Sequence, residues 1–140
     1  MIVFDIDQTI SPTDREYEWT VPFETHKAWI FNISIPTYVL DFLRSRDDIA
    51  LLSTWGKAAE SVSEAFGFKA EIIVMDDDRT GVEGKFKTVS EMDNVAAWID
   101  DHIKPKMAAA MKDKGVLTIK PTRGVISEKE LVKLIAHVEK

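Results

Sequence analysis

Five short apolar runs recur along this chain: IVF (2–4), IALLS (49–53), EIIVM (71–75), VAAWI (95–99) and VLTI (116–119). All but VLTI are apolar at nearly every consecutive position, as expected of strands covered on both faces rather than on one. Helical patterns separate them. Val39, Phe42 and Leu43 fall at i, i+3, i+4, and Ala58, Val62, Ala65 and Phe66 repeat that spacing before Gly67, a natural helix stop. The last segment opens with Ser127 and Glu130, a capping box, and stacks Leu131, Leu134, Ile135 and Val138 on one face. Strand alternating with helix predicts an α/β domain with a parallel sheet of about five strands and right-handed crossovers.

A chain of 140 residues fits one domain over 1–140, and no repeat or Pro/Gly-rich linker divides it. One interval is unusual. Residues 11–36, SPTDREYEWTVPFETHKAWIFNISIP, are rich in aromatics and β-formers and too long for a bare loop. A β-hairpin or flap over about 11–35, turning near ETHK, is expected there.

Hydrophobic residues at 45% and charged residues at 30% are ordinary for a globular protein. No apolar run approaches the roughly 18 residues of a membrane span, and the MIVFDID start lacks the basic region of a signal peptide. With no cysteine, disulfides and thiolate metal sites are excluded, and a cytoplasmic location is expected. A net charge of -6 argues against a broad nucleic-acid face. The late lysines (104, 106, 112, 114, 120) and Arg123 read as a solvated helix face and loop.

The chemistry gathers at strand ends. Asp5 and Asp7 close the first run, and alternation along a strand would place them on one side. Two close carboxylates are costly to ionise together unless a cation sits between them or one holds a proton. The second run ends in Ser53 and Thr54, followed by Trp55, and the fourth in Asp100 and Asp101. Lys85 and Lys87, in GKFKTV, precede that fourth run. In open α/β sheets the ligand crevice lies at the carboxyl ends of the strands, where these residues would converge. Carboxylates with few other ligand types suit Mg2+.

These elements, in this order, closely resemble the four motifs of the haloacid dehalogenase-like (HAD) superfamily. The first motif is Asp5-Ile6-Asp7-Gln8-Thr9 after an apolar strand, the second a Ser or Thr ending the next strand, the third a lysine, the fourth the acidic pair in WIDD. The resemblance runs from residue 2 to about 120, and Gln8 departs from it where a Gly is common. It implies a Rossmann-like three-layer sandwich and a phosphatase working through an aspartyl-phosphate. Asp5 would be the nucleophile and Asp7 the acid and base. Ser53 or Thr54 would bind the phosphoryl group, with Ser53 preferred because it directly ends the apolar run. Lys85 would neutralise charge, with Lys87 the solvated alternative. Mg2+ would be held by Asp5, the Asp7 backbone carbonyl, Asp100 and Asp101. A dehalogenase is disfavoured, since that branch lacks an acid at the position of Asp7.

Neither interval between motifs leaves room for a folded cap domain. The resemblance associates such open sites with larger phosphorylated substrates, phosphoproteins or nucleic-acid ends, and also with some small molecules. Trp19, Phe23, Trp29 and Phe31 in the flap could stack on a substrate ring or simply pack, and Trp55 is the better candidate for a substrate contact. DDDRTG (76–81) reads as a solvated turn, His102 as a neighbour that could tune Asp101, His26 as scattered from any metal-ligand spacing and His137 as a surface residue. The competing expectation is a catalytically idle domain of the same fold that binds a phosphorylated ligand or a protein partner.

Overall fold

Backbone hydrogen bonding gathers the five apolar runs into one fully parallel sheet in the computed structural model, which describes residues 1–139. Strand β1 (Ile2–Phe4) lies at its centre. It is flanked by β4 (Ile49–Leu52) and β6 (Ala97–Ile99), with β5 (Glu71–Ile73) and β7 (Leu117–Ile119) at the edges. The three inner strands are buried at every residue, which accounts for their unbroken apolar sequence. The edge strands are only partly covered, and there a Glu71 and a Thr118 are tolerated.

Successive residues of each strand feed opposite faces. Phe4, Leu51 and Ile99 join a core with α1 (Thr37–Arg44), α2 (Glu60–Phe66) and α5 (Glu128–Val138), through residues such as Leu40, Val62 and Leu134. Val3, Leu52 and Trp98 join a second core with α3 (Gly81–Glu91) and α4 (Pro105–Asp113), through Val89, Met107 and Met111. The result is helix layers on both faces of the sheet, a Rossmann-like arrangement of the kind the run pattern predicts. Gly67 caps α2 at φ 69, and both bonds of the Ser127–Glu130 box are made. Helix α4 gives the late lysines their setting: Lys104, Lys106, Lys112 and Lys114 are exposed while its methionines are buried. No helix among the described residues is long and apolar enough to cross a membrane.

The flap is a two-stranded antiparallel hairpin, β2 (Phe23–Ala28) and β3 (Phe31–Pro36). Its turn differs from the sequence expectation. ETHK lies inside β2, and the chain reverses at Trp29–Ile30, two residues with no turn propensity. The reversal point is set by packing instead: Ala28, Ile33 and Ile35 must enter the core, and Thr25 pairs with Ser34 across the strands, their hydroxyls 2.7 Å apart. Arg44 fixes the strand to α1 with two bonds to Glu24, 2.8 and 3.0 Å long. The consequence is a left-handed tryptophan, Trp29, at φ 55. Such a conformation costs a non-glycine residue about 1–2 kcal/mol.

Candidate active site

Strand β1 ends at Phe4, and the next peptide still belongs to the sheet, because Asp5 N donates to Ile99 O at 2.9 Å. The chain then folds into a tight loop in which the Ile6 carbonyl accepts from the amides of Thr9, Ile10 and Ser11. Ile6 and Ile10 are fully buried and pin that loop to the core. Gln8 sits in it at φ 60, so the glycine common at this place in the resembled motif has a conformational reason. Gln8 offsets part of the strain by accepting from Thr13 N through Oε1 at 3.0 Å.

This break in the strand gives different directions to the two aspartates, which continued strand alternation would put on one side. Asp5 is buried and turned toward Lys85, whose Nζ lies 3.2 Å from Asp5 Oδ1 and 2.8 Å from Asp100 Oδ2. Asp7 is half-buried and accepts from the Trp55 indole Nε1–H through Oδ2 at 3.2 Å. The two acids therefore meet different surroundings although one residue separates them.

Lys85 reaches the site from α3, four residues before the buried Val89, and is 4% exposed, whereas Lys87 is exposed. The close fit of α3 depends on Gly84, where an added Cβ would lie 2.9 Å from the Arg79 carbonyl carbon. Asp100, at the end of β6, is fully buried, and its Oδ1 accepts from His102 N at 2.9 Å. Burial, then repulsion from Asp100, pushes the Asp5 carboxyl up to about 7, against the pull of Lys85. Burial acts to lower the Lys85 ammonium, but Asp5 and Asp100 outweigh it and hold that pKa above the ordinary value.

Asp5, Asp100, Asp101 and His102 each offer an atom within 4.8 Å of the others, and the Asp7 side chain is not among them. Three carboxyl groups face a single lysine in this cluster. Asp101 Oδ1 is buried without a hydrogen-bond partner; His102 Nδ1 is 3.1 Å away but poorly aligned for one. An orphaned acceptor among hard oxygen donors is a chemical fit for a divalent cation such as Mg2+.

Ser53 follows β4, is buried, and accepts from Trp55 N at 3.2 Å; its neighbour Thr54 is exposed. Beyond Asp7 the surface opens into a cavity of about 580 Å³ lined in part by Arg15, Trp19, Phe31, Asn32 and Trp55. Trp55 and Phe31 meet edge to face, with centroids 5.6 Å apart. Trp19 and Phe23, by contrast, stack on each other at 4.0 Å, the packing role open to them from the sequence.

Other candidates lie elsewhere. Asp76, Asp77 and Asp78 are exposed beyond β5. His26 pairs with Glu24 on the hairpin. His137, expected at the surface, is half-buried with Nε2 3.1 Å from Ala96 O. A separate cavity of about 430 Å³ between α4, β7 and α5 is lined, among the described residues, by Lys112, Lys133 and His137 and by no carboxylate. The bond from Trp55 to Asp7 is what sequence reasoning missed. Its only signal was a tryptophan directly after the strand-end hydroxyls.

No protein-family model and no curated protein matches the chain.

Proposed function

We propose that this chain is a HAD-like, Mg2+-dependent phosphomonoesterase that works through an aspartyl-phosphate on Asp5. The observation that carries this proposal is that the two aspartates have different surroundings. Asp5 is buried against Lys85 and Asp100, while Asp7 faces the open cavity. An Asp5 oxygen attacks phosphorus, and the bond to the leaving oxygen breaks as Asp7 delivers a proton to it. Asp7, now a carboxylate, removes a proton from water, and that water cleaves the aspartyl-phosphate to free Asp5 and phosphate. Lys85 and the Ser53 hydroxyl bind phosphoryl oxygens and hold the charge that develops on them.

The cation, held by Asp5, Asp100, Asp101 and the Asp7 carbonyl, would keep Asp5 ionised and screen it from the phosphate's negative charge. Burial, and then repulsion from Asp100, raises the Asp5 carboxyl to about 7, the direction that a nearby cation would oppose.

The test is release of phosphate from p-nitrophenyl phosphate. Turnover is expected with Mg2+, and is lost in EDTA and in Asp5→Asn. Activity that survives Asp5→Asn would overturn the nucleophile assignment, and a wild-type protein without activity would favour the idle-domain alternative.

A further inference from the structure

The hairpin tip is built against its own local preferences. Trp29, Ile30 and Phe31 are 60%, 64% and 49% exposed, three consecutive large apolar residues in solvent. Trp29 stands at φ 55, where glycine or asparagine would make the same turn without strain. A bulky ring kept at a strained, solvated position points to a use outside the hydrophobic core.

Its surroundings say what use. Trp29 meets Phe31 edge to face at 5.8 Å, and Phe31 meets Trp55 in the same way at 5.6 Å. Trp55 in turn holds Asp7 through its indole N–H. A second cavity, of about 300 Å³, lies among Trp29, Phe31, Thr54, Trp55 and Asp7, and shares Asp7, Phe31 and Trp55 with the larger one. Both cavities thus open on the residue assigned as proton donor to the leaving oxygen. Whatever is esterified to the phosphate must extend into this aromatic corner.

We infer that the corner is a stacking site for the base of a nucleotide phosphomonoester, an inference that rests on the phosphatase reading above. Aromatic faces bind any nucleobase by stacking, and polar groups along the larger cavity, Arg15, Asn32 and Ser34 among them, suit ribose hydroxyls and base edges. A sugar phosphate would leave the three rings without a partner. A single phenyl ring would leave most of the roughly 580 Å³ empty. Among the described residues Arg15 is the one cation lining either cavity, and the chain carries a net charge of -6. The fit is therefore to one nucleotide, free or at the end of a strand, and not to a long phosphate backbone.

The experiment compares kcat/KM for adenosine 5′- and 3′-monophosphate, ribose 5-phosphate, phosphotyrosine and short oligonucleotides carrying either terminal phosphate. Wild type is expected to favour a nucleotide over ribose 5-phosphate by at least about 10-fold. The ratio should fall toward one in Trp29→Gly, which keeps the turn, and in Phe31→Ala. Mononucleotide against oligonucleotide identifies the source of the base. Equal rates for nucleotide and ribose 5-phosphate, a preference for phosphotyrosine, or a preference untouched by both variants would overturn the inference.

Binding separates this outcome from failure of the phosphatase reading. Quenching of tryptophan fluorescence in Asp5→Asn by adenosine monophosphate, and not by ribose 5-phosphate, reports the base site without turnover. Quenching without turnover in wild type would reject the phosphatase and keep the base site. Absence of base-dependent quenching would reject the base site whatever the activity.

Discussion

Lys85→Met removes the positive charge lodged between two buried carboxylates while keeping most of the side-chain volume. Lys85 lies 3.2 Å from Asp5 and 2.8 Å from Asp100, with both acids at or below 5% exposure, so water cannot take its place cheaply. Leaving a buried charge without its partner costs about 3–5 kcal/mol. For a chain of 140 residues that is about 10–17 °C in Tm. The cost should depend on pH in a definite direction. The folded-state Asp5 carboxyl lies at about 7 against 3.8 when unfolded, so its contribution to stability is full below about pH 4 and lost as pH rises through 7. At pH 5 Asp5 holds a proton that it can donate to Asp100, and the variant should lose only about 1–2 kcal/mol. Removing Lys85 also removes what lowers the Asp5 carboxyl, so between pH 7 and pH 8 the variant keeps losing stability that the wild type does not, and its loss at pH 8 should exceed that at pH 5 by about 1.4 kcal/mol. Urea denaturation in EDTA at both pH values, followed by tryptophan fluorescence, measures the difference. Adding Asp5→Asn to the variant should recover most of the loss at pH 8. An equal loss at pH 5 and pH 8, or a loss below about 1 kcal/mol at pH 8, would refute charge compensation as the role of Lys85.

Asp7→Asn should cut kcat/KM for an alkyl phosphate by about 100- to 10,000-fold and for p-nitrophenyl phosphate far less, because kcat/KM reports phosphoryl transfer to Asp5, in which only the poor leaving group needs the proton. Equal falls for the two esters would count against Asp7 as the acid. Trp55→Phe keeps a ring but removes the 3.2 Å bond to Asp7, so it should show the same leaving-group dependence in weaker form. A uniform fall would assign Trp55 to packing alone. Gly84→Ala forces a Cβ to 2.9 Å from the Arg79 backbone and should destabilise by about 1–3 kcal/mol, read as a lower Tm. An unchanged Tm would mean that α3 shifts freely.

The strands were legible because two-sided burial leaves unbroken apolar runs, and the helix ends because Gly67 and the Ser127–Glu130 box act on their own neighbours. The burial of Lys85 rather than Lys87 was legible too, since helical spacing ties Lys85 to Val89. The hairpin turn was not. Trp29–Ile30 has no turn chemistry, and its place is set by which side chains of β2 and β3 enter a core made by distant residues. The two aspartates were half legible. Their place at the end of β1 followed from the run that precedes them, but their separation follows from a loop with Gln8 at φ 60.

The sequence by itself determined the layers of this protein and the edge of the sheet on which its acids, hydroxyls and lysine would stand. Periodicity and capping are local, set by residues within a turn or two of each other, and they can be read along a chain. Only the tertiary structure decided that Lys85 bridges Asp5 to Asp100, that Trp55 holds Asp7, and that the hairpin tip stands over the same cavity. Those contacts join residues 15 to 80 positions apart, brought together by the parallel strand order. Their distances and angles have no counterpart in any local pattern.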